Sequence, residues 1–161
     1  QDFAEEVADY FRLRHGLQTV ALRIPLMLGP GLWYDGAAAA VRRLVEQALT
    51  GQTPTCHLPA SAFDAMHVDD MGPLVQTLLR NGVTPGPLYH VAGFTTTYCE
   101  IVQTLKRLVS GFDAQVIEED APIVYPLVSQ ALLERDTGWR TQHNLFSTLQ
   151  SMLDEQRRTP R

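Results

Sequence analysis

Residues 20–32, VALRIPLMLGPGL, constrain this 161-residue chain more than any other stretch. A short apolar run carrying Arg23 and Pro25 and closed by Gly29-Pro30-Gly31 predicts a buried strand that runs out into a loop at a sheet edge. Open α/β sheets place their ligands at such edges. On its own the stretch is a strand followed by a loop, and its meaning depends on the segments around it.

Those segments alternate between helical and strand patterns. Phe3, Val7, Tyr10, Phe11 and Leu13 recur at helical spacing, with acidic residues early, basic residues late and Gly16 as the stop. Residues 37–49 form a second, alanine-rich pattern with Val41, Leu44, Val45 and Ala48 on one face, ended by Gly51. Residues 53–62 carry two prolines and read as irregular or hairpin-like. A third helix is predicted over residues 70–80, capped by Asp69, closed by Asn81-Gly82 and burying Met71, Leu74, Val75, Leu78 and Leu79. Residues 88–92 form a compact strand candidate, and Thr97-x-x-Glu100 has the spacing of a capping box opening a fourth helix. A strand at 114–117 and helices around 128–136 and 144–157 complete the pattern. Helices alternating with short apolar strands predict an α/β fold with at least partly parallel pairing.

Composition removes several function classes. Hydrophobic residues make up 45% of the chain, enough for a core in a single region spanning residues 1–161. With 13 basic and 18 acidic residues the net charge is −5, and no basic stripe offers itself to a phosphate backbone, so nucleic acid is not an expected partner. Apolar runs fall short of the roughly 20 residues of a membrane span, and no signal-peptide pattern opens the sequence, so a soluble, cytoplasmic protein without a membrane partner is expected. Cys56 and Cys99 have no paired or metal-type spacing and read as reduced, partly buried thiols. The five histidines fall one to a segment, so no metal cluster or Ser-His-Asp order is predicted. Tyr89 and Tyr98 lack a lysine four residues on, where Gly93 and Val102 stand, and without a nearby cation a tyrosine is a poor base at neutral pH. No catalytic residue is expected within the chain.

Five features in order now support a family reading: a helix ending at His15-Gly16-Leu17, LRIPLMLGPG at 22–31, MHVDD at 66–70, LYHVAG at 88–93, and Thr137-Gly138-Trp139. Together they resemble the C-terminal, substrate-binding half of an extended short-chain dehydrogenase/reductase of the NAD-dependent epimerase/dehydratase family, and the resemblance covers nearly the whole chain. It implies the C-terminal part of a Rossmann-like fold. In that family the N-terminal half carries the glycine-rich dinucleotide turn and a catalytic Tyr-x-x-x-Lys pair, and neither is in this sequence. The family lysine would fall at or just before Gln1. The resemblance therefore implies NAD or NADP in a full-length protein and none for this chain alone.

By the same resemblance, Pro25 passes beside the nicotinamide, and Leu26 and Met27 line the substrate pocket, while Leu28 reads as core. Trp33 is either a substrate-facing aromatic or a surface-loop anchor. His67 is either a proton donor near pH 7 or, the reading favoured here, a satisfied histidine at a strand-to-helix turn. Departures from the family are informative. Nucleotide-sugar members commonly carry an Asn three residues after the strand Arg and a diphosphate-gripping Arg four residues before the His; this chain has Leu26 and Phe63 there. A phenyl ring cannot replace a bidentate arginine, so an apolar or smaller substrate, or a decayed site, gains. Three readings follow: the substrate-binding portion of an NAD(P)-dependent epimerase, dehydratase or reductase, a catalytically silent binding or assembly domain derived from that family, or a divergent intact member seen in part. Because half a sheet leaves an apolar edge uncovered, a homodimer or pairing with a missing N-terminal half is expected, beside a small-molecule substrate.

Overall fold

The computed structural model describes residues 2–32, 36–80, 86–120 and 124–158. Helix α1 (Asp2–His15) leads into β1 (Ala21–Arg23) and β2 (Leu26–Leu28), followed by α2 (Ala39–Leu49), β3 (Thr55–Pro59) and β4 (Phe63–His67). A single 3-10 turn, Val68–Asp70, then opens α3 (Met71–Leu78). The chain continues through β5 (Leu88–His90), β6 (Phe94–Thr96), α4 (Tyr98–Leu108), β7 (Gln115–Glu119), α5 (Ala131–Thr137) and α6 (Leu145–Arg158).

The stretch predicted as one strand is two. Pro25 has no backbone N–H to give to a ladder, and the chain changes partner across it. Before it, β1 runs parallel to β5, with Arg23 opposite His90. After it, β2 runs parallel to β4, with Leu28 opposite His67, and β6 joins the far side of β4 antiparallel. The strands thus fork at Pro25.

Alternation along β2 and β4 feeds two cores. Leu28 and Ala65 point to a core shared with Val41 and Leu44 of α2, Ile101 and Leu105 of α4, and Leu149 and Leu153 of α6. Met66 belongs to the other core, with Leu74 of α3, Tyr89 of β5, Leu133 of α5 and Trp139, and Met27 packs against it. A parallel pair covered on both faces explains the unbroken apolar run from Leu26 to Leu28. Burying Leu28 and Met66 almost fully stabilises the pair by about 1.5–3 kcal/mol per side chain.

Several local expectations change. Residues 55–59 pair in parallel with β7 in a two-stranded ladder, instead of forming an irregular or hairpin-like segment. The cue is non-local, since the partner lies some sixty residues away. The residue that caps the turn before α3 is His67, whose Nδ1 accepts from the Asp69 amide, so Asp69 offers its backbone there and no side-chain cap. Only Leu74 of the predicted α3 face is buried, because the neighbouring core meets a single line of the helix; Val75 and Leu79 stay exposed. The Thr97–Glu100 capping box is present, with both reciprocal hydrogen bonds, and Cys56 and Cys99 are free thiols. Among the described residues no helix is long and apolar enough to cross a membrane. The expectation for Asn81-Gly82 falls outside the described residues.

Gly93 illustrates how tightly β4 and the exit from β5 approach. It sits at φ +69, and a Cβ there would overlap the Ala65 carbonyl oxygen. Gly93→Ala therefore combines a left-handed backbone with a backbone clash. Urea unfolding should show it destabilised by at least ~2 kcal/mol, whereas Gly111→Ala, also left-handed but open, should lose no more than about 1 kcal/mol.

Candidate functional site

The fork opens a cleft of about 540 Å³. Arg23, Ile24, Pro25 and Leu26 line it from the fork itself, His90 and Val91 from the end of β5, Phe63 and Asp64 from the start of β4, and Tyr98 from the first turn of α4. β1 follows β5 and β2 follows β4, so the backbone between them splays apart and cannot close the space. This is the geometry by which open α/β sheets make ligand crevices, where neighbouring strands part company.

The polar groups around the cleft are unequally committed. The Arg23 guanidinium forks onto both oxygens of Glu5 on α1, with Nε and Nη2 each donating at 2.7 Å. That pair holds the Glu5 carboxyl below its ordinary range. Asp64 is committed to structure, because Oδ1 accepts from Thr95 at 2.6 Å and Oδ2 from the Val128 amide at 2.9 Å. The Ser61, Tyr98 and Tyr125 hydroxyls and the His90 imidazole, all on the cleft, have no hydrogen bond among the described residues. Burial raises the Tyr98 phenol, which keeps it protonated and able to donate. Its ring lies 5.1 Å from that of Phe63, tilted by 50°, so the two form one aromatic wall.

A second group of polar residues lies at the other end of β4. His67 and Asp70 are both about 1% exposed. The Asp70 carboxylate accepts from the amides of Gln142 and His143 and from His143 Nδ1, the last at 2.8 Å. The His67 and His143 rings stack 4.0 Å apart at 15°. With Asp69 they bring ligand-type atoms within 4.8 Å of one another. A metal needs imidazole lone pairs that converge, and nearly parallel stacked rings direct theirs side by side. Both His67 nitrogens are also engaged, Nδ1 by the Asp69 amide and Nε2 by Ser151 Oγ at 2.8 Å.

No protein-family model and no curated protein matches the sequence, whereas solved structures match the fold throughout. An L-threonine dehydrogenase from Cupriavidus necator superposes with a TM-score of 0.79 at 20% identity, over 93% of this chain and 57% of that one. The UDP-glucose 4-epimerase of Thermotoga maritima, solved with UDP-glucose, gives 0.80 at 19% identity over 96% and 50%. RMD from Pseudomonas aeruginosa, complexed with NADPH, gives 0.77 at 21% identity over 96% and 53%. The chain has the extended short-chain dehydrogenase fold. It spans about half the length of the solved structures that it matches.

Within this extended dehydrogenase fold the sequence-predicted residues separate. Pro25, Leu26 and Phe63 meet in the cleft. Met27, one residue on, points to the opposite face and packs against the core of Met66 and Tyr89, and Leu28 is core as expected. His67 lies outside the cleft, with both ring nitrogens bonded within the chain. Trp33 falls outside the described residues. Sequence reasoning passed over His90 and Asp64, and it weighed Tyr98 only as a base. Their position at strand ends and at a helix start was the available signal.

If the Tyr98 hydroxyl serves a ligand and not the fold, Tyr98→Phe leaves stability within about 0.5 kcal/mol, whereas Phe63→Ala, which opens the aromatic wall, costs roughly 1–3 kcal/mol. Chemical denaturation of the two variants checks this. An equal loss in both would make the hydroxyl structural.

Proposed function

We propose that this chain forms the substrate side of an NAD(P)-dependent dehydrogenase, epimerase or reductase, with the dinucleotide site and the catalytic pair contributed by residues outside it. The observation that carries the reading is the cleft at Pro25, an apolar and aromatic pocket in a fold shared over half the length of an NADPH complex and a UDP-glucose complex. The nicotinamide, when bound, supplies hydride acceptance and donation. The residues here fit only one wall for it. The flat Pro25 ring and Leu26 suit an aromatic ring edge, but the sequence has no glycine-rich phosphate turn. Its single lysine, Lys106, pairs with Asp113 on the surface. What the chain does itself is to bind and orient a substrate, exclude water with Phe63, Leu26 and Tyr98, and offer a hydrogen bond from Tyr98.

The lining favours an uncharged substrate with an apolar face. Phe63 stands where a diphosphate grip would need a cation, and Arg23 is already forked onto Glu5. A nucleotide diphosphate held here would have no bidentate partner of the kind that such ligands use.

The reading also implies a protein partner. α1 is tied to the rest by the Arg23–Glu5 pair and by Thr19 donating to the Ala8 carbonyl, and it turns Phe3 (78% exposed), Tyr10 and Leu13 (75%) outward. A helix with its apolar side in water asks for a cover, which a second copy or the cofactor-bearing half would give.

Titration of NADH and NADPH into the 161-residue chain by calorimetry should show no saturable binding below the millimolar range, and micromolar binding would contradict the division of labour. Sedimentation should show self-association that Phe3→Glu with Leu13→Glu abolishes. A clean monomer for the unmodified chain would remove the argument for a covered α1.

A further inference from the structure

His67 sits in a hydrogen-bond arrangement that admits only its neutral form. Ser151 Oγ donates its own proton to the Thr148 carbonyl at 2.8 Å, so toward His67 Nε2 it can only accept. Nε2 therefore carries the proton. Nδ1 accepts the Asp69 amide at 3.0 Å, so it must be bare. A second proton on this ring would set an N–H against an N–H at Nδ1. It would also add a positive charge 4.0 Å beneath the His143 ring, which faces the Asp70 carboxylate.

The ring also holds two parts of the fold together. Through Ser151 it fastens α6 to the end of β4. One turn further along α6, both oxygens of Glu155 accept the Gly31 amide, at 2.7 and 2.8 Å. Gly31 belongs to the connection that leaves β2 beyond Leu28, and Leu26 of β2 lines the cleft. Gly29, earlier in that connection, has no room for a side chain, since a Cβ there would run into Val68 and come up against His67 Nε2. His67, α6 and the cleft-side connection thus form one mechanical chain.

We propose that His67 is a proton-operated latch: neutral, it holds α6 and, through Glu155, the Gly31 connection in place, and protonated it releases both. The groups facing it are few. His143 comes from the segment before α6, Asp69 and Asp70 from its own turn and Ser151 from α6, while β2 pairs Leu28, an apolar residue, with it. The Asp69 carboxylate is 3.8 Å from Nδ1 and largely exposed, so it offsets little of the cost of a buried charge.

The direction of the pH effect follows from the site. Burial, and after it the charge on His143, lowers the His67 pKa in the folded chain, against the attraction of Asp69 and Asp70. The unfolded chain therefore takes up the proton first. Stability is intact above about pH 6.5, the ordinary imidazole value, and falls as the pH drops from there toward the folded value.

The test follows the amide resonances of Gly31 and Ser151, the His67 ring resonances and the melting temperature between pH 7.5 and 5.5. The latch predicts that the melting temperature falls over this range. It also predicts that both amides move with the midpoint of the His67 ring. His67→Asn keeps an acceptor for the Asp69 amide but cannot titrate, and it should lose most of the fall and the Gly31 shift. His143→Asn should keep the Gly31 shift. The proposal is overturned if His67→Asn retains the full pH dependence, or if His143→Asn removes it. It is equally overturned if, in the unmodified chain, Gly31 stays fixed while His67 titrates, a comparison that stands even if neither variant folds.

Discussion

One missing hydrogen-bond donor organises this chain. At Pro25 the backbone has no N–H for a ladder, so a run of residues that could have been one strand is divided between two sheets. β1 stays with β5 and β2 goes to β4. The gap between the two pairs is the cleft, and the residues on either side of the proline are its walls. The same break lets β2 lie between two cores, with Leu28 committed to one and Met27 to the other. Fold and candidate site therefore share a cause, and neither can be altered at Pro25 without the other.

How much of this was legible in the sequence depended on how local the signal was. α1, α2 and α4 announced themselves through apolar spacing, stop glycines and the Thr97–Glu100 box, all contained within a turn or two of the helix. The ladder between β3 and β7 did not, because Cys56 pairs with Val116 across all the intervening elements and no local pattern marks the partner. The fork was not visible. Pro25 stood inside a run read as one strand, and only the pairing partners show that it separates two sheets. Met27 packs away from the cleft, against the core of Met66 and Tyr89, for a related reason: membership of an apolar run says that a residue is buried, and only the strand's alternation says on which side.

The histidines show the same limit at a site. In the sequence His67 and His143 are unrelated positions, each on its own segment. Folding stacks them, commits one to Ser151 and the Asp69 amide, and sets the other against the buried Asp70. The buried carboxylate is the partner that makes the arrangement stable, since an unpaired Asp70 would be costly at that depth. Chemistry-bearing residue types are thus used here for cohesion, and the cleft keeps the less conspicuous Tyr98 hydroxyl and His90 ring uncommitted. Phe63, Leu26 and Pro25 give the cleft an apolar and aromatic wall, beside which these uncommitted groups stand.

If this chain is one wall of a two-walled site, the sequence encoded upstream of Gln1 tests it most directly. Sequencing that reading frame should reveal a strand, a glycine-rich turn and a helix, followed by a Tyr-x-x-x-Lys pair whose lysine falls at or just before Gln1. A frame that encodes neither the glycine-rich turn nor the pair would contradict it.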